Sequence, residues 1–112
     1  MKYVLLALLL VTLSVSANTQ NEINHLLAFV KNTQCTYERN GKSHTGVEAV
    51  EHIMKKYKYF QDDIVTTEDF IEYAATKSKM SGKHYLVHCP SEPTIKSSDW
   101  LLTELAHYRA EQ

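Results

Sequence analysis

Glycine, proline and tryptophan are scarce in this chain of 112 residues, with three, two and one respectively. Three glycines leave little material for a backbone cradle around phosphate. No Gly-rich phosphate loop, Ser-His-Asp pattern or paired-carboxylate motif is present, which removes the common nucleotide-binding and nucleophilic-hydrolase signatures. An excess of one charge is also missing: 12 Lys and Arg stand against 13 Asp and Glu, a formal net charge of −1. Nucleic acid and anionic lipid surfaces are gripped by clustered Lys and Arg, so neither is an expected partner. The mixed run Lys55-Lys56-Tyr57-Lys58-Tyr59-Phe60 reads as a solvated Lys face beside a buried Tyr57.

Long apolar runs are absent except at the start, where residues 3–11 are unbroken apolar sequence extended by Leu13 and Val15. That run falls short of the roughly 20 residues that cross a bilayer. Lys2 before it and Val15-Ser16-Ala17 after it give the three-part plan of a secretory signal. We therefore expect residues 1–17 to be a signal peptide cleaved after Ala17. Residues 18–112 would form one small periplasmic or secreted domain with no stable membrane span. After residue 17 the chain keeps all its acidic and all but one of its basic residues.

Cysteine is rare too, but the two present, Cys35 and Cys89, are informative. Neither belongs to a C-x-x-C. An even count in a small exported protein points to a disulfide, a reactive thiol or metal ligand being the alternative. A bridge closing a loop of about 55 residues constrains the unfolded state by roughly 4 kcal/mol. That is a large share of the roughly 5–15 kcal/mol that holds a domain folded.

Apolar positions Ile23, Leu26, Leu27 and Val30 recur at helical spacing, predicting an amphipathic helix over residues 19–33. Alternation through Cys35, Tyr37 and Arg39, followed by Asn40-Gly41, predicts a type I′ hairpin returning through Lys42 to His44. Thr45 and Glu48 form a capping-box pair for a second helix, with Val47, Val50, Met54 and Tyr57 on its inner face, assisted by Ile53. A turn at Asp62-Asp63 follows, with Ile64 and Val65 packing inward. Thr66 or Thr67 starts a third helix that buries Phe70, Ile71, Ala74 and Ala75, extends to Lys77 and Lys79, and stops at Ser81-Gly82. Residues 84–89 read as a strand ended by Pro90 and Pro93. Ser97 or Ser98 caps a last helix carrying Leu101, Leu105 and Tyr108. The order α-β-β-α-α-β-α predicts an α+β domain: a small antiparallel sheet of about three strands with helices on one face. Strand parity turns Cys35, Tyr37, Tyr85, Val87 and Cys89 toward the helices, and leaves Thr36, Glu38, His84, Leu86 and His88 on a wetter face.

The densest polar constellation runs from Arg39 to His52. Glu48 and His52, four apart, share a helix face, and His44 sits just before that helix. Imidazole and carboxylate are zinc and copper donors, so His44, Glu48 and His52 are a candidate metal or hydrolytic set. The spacing is not that of a zinc peptidase. The plainer reading has Glu48 capping Thr45 and His52 pairing with Glu48 or Lys56. His84 and His88, roughly 13 Å apart on a strand, cannot share one metal.

Several segments together resemble one family: Arg39-Asn40-Gly41 then His44, Glu48-Ala49 then His52, Glu68-Asp69-Phe70-Ile71, and Ser81-Gly82-Lys83 then Tyr85. It is the YfeK-like family of small exported bacterial proteins, a domain of unknown function, and the similarity covers residues 20–110. Met54 and His84 depart from its pattern, standing where a basic residue and a proline are expected. The resemblance implies a periplasmic or secreted location and carries no activity.

The expectation from the residues is a non-enzymatic binding or accessory domain without a cofactor. Its partner would be an envelope protein, peptide or cell-wall component. Its contact surface would be Arg39, Asn40, His44, Glu48 and His52. The alternative is the metal-binding or hydrolytic domain built on His44, Glu48 and His52.

Overall fold

In a computed structural model, which describes residues 15–112, the first amphipathic stretch forms helix α1 (Ala17–Lys31). It buries Ile23, Leu26 and Val30. Ser16 caps it by accepting the Thr19 N–H. The expected signal segment lies outside the described residues up to Ser14.

The hairpin forms as its turn dictates. Strands β1 (Thr36–Arg39) and β2 (Lys42–His44) pair antiparallel, with Tyr37 opposite His44 and Arg39 opposite Lys42. Asn40 and Gly41 both have positive φ, 51° and 77°, as a two-residue type I′ turn requires. Strand β3 (Leu86–His88) lies antiparallel against the other edge of β1. A fourth strand, β4 (Ile95–Lys96), pairs with β3 to complete the order β2-β1-β3-β4. Among the described residues the sheet thus has four strands rather than three. A strand of two residues just before a helix is too short to show alternation.

The register sets Thr36 opposite His88, so Cys35 and Cys89 face each other one step further on. They form a disulfide with Cα atoms 4.3 Å apart, packed against the core.

Helix α2 (Gly46–Tyr59) carries the predicted capping box at Thr45 and Glu48. Its inner face is turned by one residue from the expected one. Gly46, Ala49 and Ile53 are buried, Val50 and Tyr57 are half-buried, and Val47 and Met54 are exposed. The reason is Gly46. Its lack of a side chain lets the start of α2 lie on the Val30 and Lys31 carbonyls at the end of α1, which fixes the helix rotation.

A 3₁₀ turn (Gln61–Asp63) leads to Ile64, which is buried, and Val65, which is not. Helix α3 (Thr67–Ala74) has a second capping box, between Thr66 and Asp69. It buries the predicted Phe70, Ile71 and Ala74 but ends well before Lys77. There Thr76 turns back to bond the Ile71 carbonyl, and Lys77 bridges to His84. Gly82 closes a turn over residues 78–82 instead of a helix. Helix α4 (Ser97–Ala110) buries Leu101 and Leu105. Neither serine caps it: Lys96 holds the cap position, and Ser97 is the first helical residue. The Ser97 N–H meets the Tyr85 carbonyl and its hydroxyl meets Tyr37.

One core joins the helices to the inner sheet face through Ile23, Ile53, Phe70, Val87 and Leu101. On the opposite face Thr36 is exposed and Glu38, Leu86 and His88 are half-buried, with His88 bonded to Glu38 at 3.0 Å. Among the described residues, no helix is long and apolar enough to cross a membrane.

Candidate functional site

Three elements meet at one end of the sheet. Arg39 closes β1 beside the hairpin turn. His52 and Lys56 are successive residues on one face of α2, one turn apart. Tyr85 precedes β3 and is buried, with only 3% of its surface exposed. The Thr45 capping box fixes where α2 begins and therefore where His52 and Lys56 stand.

These four side chains are linked. Arg39 bonds His52 Nδ1 at 2.8 Å, His52 Nε2 meets the Tyr85 hydroxyl at 3.1 Å, and the Lys56 ammonium meets that hydroxyl at 3.1 Å. Lys56 also donates to the Lys77 carbonyl at 2.7 Å. Arginine and lysine can only donate. His52 Nδ1 must therefore accept from Arg39, which puts the proton of the neutral ring on Nε2, donating to Tyr85. The Tyr85 oxygen then accepts twice, and its own hydrogen is free to point elsewhere.

Electrostatics keep this set neutral at its centre and positive around it. Burial lowers the His52 pKa to about 4, assisted by the charges of Arg39 and Lys56 and by His44 and Lys55. Burial also lowers Lys56, with Lys79 and Arg39 adding to the effect. Burial raises the Tyr85 phenol against the opposing pull of Arg39. None of Arg39, Lys56 and Lys79 forms an ion pair among the described residues, whereas Arg109 bonds two carboxylates.

An open cleft of about 390 Å³ lies over this array, walled by Tyr59, Phe60, Lys79 and Met80. The Lys79 ammonium rests 4.4 Å from the centre of the Phe60 ring. Tyr59 is 80% exposed and Met80 fully exposed at the rim. The turn carrying Lys79 and Met80 is tied to the hairpin tip, where Ser81 donates to the Asn40 side-chain oxygen at 2.6 Å.

The five residues expected at a contact surface separate into distinct roles. Arg39 and His52 are bonded in the cleft, and Asn40 anchors the turn beside it. His44 and Glu48 share with Arg39 and His52 the lining of a small cavity of about 20 Å³ behind the cleft. The His44 Nε2 atom is buried with no hydrogen-bond partner among the described residues. Glu48 accepts the Thr45 N–H at 2.9 Å, and these bonds to Thr45 hold its carboxyl below the usual range. Among the described residues, no three His, Cys, Asp or Glu side chains are placed to hold a metal. His52 pairs with Arg39 and Tyr85, not with Glu48 or Lys56.

Lys56, Lys79 and Tyr85 were not among the expected site residues. Lys56 is half-buried rather than part of a solvated face, and Tyr57 is only half-buried, against Phe70. The one sequence signal for Lys56 was its place four residues after His52. Several separate motifs, Arg39-Asn40-Gly41, His52, Ser81-Gly82 and Tyr85, adjoin this one cleft.

A sequence profile described as "Family of unknown function (DUF5329)" matches residues 17–109, and the chain belongs to this family. A curated protein of Salmonella typhimurium, "Uncharacterized protein YfeK", is 36% identical over 73 residues, 64% of this chain and 61% of the relative. The chain thus spans about three fifths of that relative's length. No solved structure matches.

Proposed function

We propose, taking membership of this family of unknown function as the premise, that the chain is an exported, non-enzymatic binding domain. Residues 1–17 act as a signal removed after Ala17, and residues 18–112 are the working domain. The Cys35–Cys89 disulfide is compatible with an oxidising compartment. Its partner is an envelope protein, peptide or cell-wall component, and the contact surface is the cleft of Arg39, His52, Lys56 and Tyr85.

The observation that carries this reading is the set of three cations around one cleft that form no ion pair among the described residues. Unneutralised cations drawn together repel one another and persist at a cost that a ligand can offset. Binding suits the groups better than catalysis. Both ring nitrogens of His52 are engaged, and its pKa of about 4 leaves it a weak base near neutrality.

Affinity purification of the oxidised protein from a periplasmic fraction tests the reading. A component that co-purifies with the wild type should be lost with Arg39→Ala, while thermal unfolding shows that variant still folded. An unchanged profile with the folded variant would refute it.

A further inference from the structure

We infer that the cleft binds a carboxylate borne on an apolar or aromatic arm, with Arg39, Lys56, Lys79 and the Tyr85 hydroxyl holding the oxyanion. This inference rests on the binding reading above and names the ligand class.

Arg39, Lys56 and Tyr85 offer donors to the cleft, and the Asn40 and Ser78 oxygens that also line it already accept from Ser81. Among the described residues the Arg39 guanidinium bonds only His52, so most of its five N–H groups remain. Lys56 spends two of its three N–H groups on the Lys77 carbonyl and Tyr85. Tyr85 accepts from both neighbours and keeps its own O–H to give. His52, neutral, turns both nitrogens to protein partners. A surface of donors is matched by an acceptor-only group, and a carboxylate is one, with charge-assisted bonds about twice the strength of neutral ones.

The walls specify the rest. Tyr59, Phe60 and Met80 surround the donors with apolar and aromatic surface, which a free inorganic anion leaves unused. A volume of about 390 Å³ is at the small end of ligand sites, which run from about 300 to 1,000 Å³. One acylated amino acid is of that scale. Lys79 already lies over the Phe60 ring, so a ligand aromatic can extend the same cation–aromatic stack.

Calorimetric titration of the oxidised protein with N-acetyl-phenylalanine, its carboxamide and inorganic phosphate tests this. The carboxylate should bind saturably, and the carboxamide at least tenfold more weakly. Lys79→Gln, an exposed change that spares the fold, should weaken carboxylate binding about threefold or more, and Arg39→Gln about tenfold. Equal binding of acid and amide, binding of phosphate alone, or no saturable heat with the acid would overturn the inference. If the acid fails while Arg39→Ala still abolishes partner capture, the ligand class is wrong and the binding reading stands. If capture is also unaffected, both fall.

Discussion

The fold opposes protonation of His52 from several sides. Arg39 from β1, His44 from β2, Lys55 and Lys56 from α2, and the buried Tyr85 all surround it. Its pKa falls from 6.5 unfolded to about 4 folded. Between those values the unfolded chain takes up a proton that the folded chain refuses. Stability therefore falls on acidification through that window. Urea unfolding followed from pH 7 to pH 4 should show a declining midpoint, and His52→Gln should flatten the decline. Below pH 4.5 a further loss follows, because hydrogen bonds hold Glu22, Glu68 and Asp69 below their ordinary values.

At the same scale, Gly46 tests how closely α2 lies on α1. A Cβ there would fall on the Val30 carbonyl oxygen, backbone that cannot swing away as a side chain would. Gly46→Ala should cost about 1–3 kcal/mol, the usual range for overpacking, even though alanine is the better helix former. Chemical denaturation measures it, and a neutral or stabilising result would refute the close approach. The glycine was visible in the sequence, but its partner 16 residues earlier was not.

Elements were legible where local chemistry decides them. Asn40-Gly41 announced the hairpin, and Thr45 with Glu48 announced the start of α2, because turns and caps are satisfied by neighbours in sequence. The inner face of α2 was only partly legible: Ile53, Val50 and Tyr57 do turn inward, Val47 and Met54 do not. The stripe Val47, Val50, Met54 and the stripe Gly46, Ala49, Ile53 both have helical spacing, and hydrophobicity alone selects the first. Contact with α1 selects the second. The end of α3 escaped for a similar reason: Thr76 and the Lys77–His84 bridge draw the chain into sheet-like pairing with a segment that no local signal reveals.

The helices are also joined where sequence distance is large. Arg109 on α4 donates to Glu22 on α1 and to Glu68 on α3, with four bonds of 2.7–3.1 Å. Half-exposed ion pairs are individually weak, but this guanidinium is shared by two carboxylates in fork geometry. Arg109→Ala should lower stability by about 1 kcal/mol, and the difference from wild type should shrink in high salt. No change at low salt would show that the network is decorative.

For the whole molecule, two features decide stability and function. The Cys35–Cys89 bridge was readable from cysteine count and strand parity, and its removal by Cys35→Ser with Cys89→Ser should cost roughly 4 kcal/mol in a denaturant titration. The cleft was only half readable. Arg39 and His52 belonged to a dense polar segment, whereas Lys56, Lys79 and Tyr85 come from distant parts of a chain with balanced charge. Net charge averages over the molecule, whereas the fold sets Arg39 and Lys56 together and the turn at residues 78–82, tied back to Asn40, places Lys79 beside them.

The most direct test of that cleft as the working surface is lysine labelling of the oxidised protein, read residue by residue by mass spectrometry, with and without periplasmic extract. We expect labelling of Lys56 and Lys79 to fall in the extract while Lys31, Lys42 and Lys96, which lie outside the cleft, react as before. Protection confined to those other lysines, or no protection at all, would contradict the account.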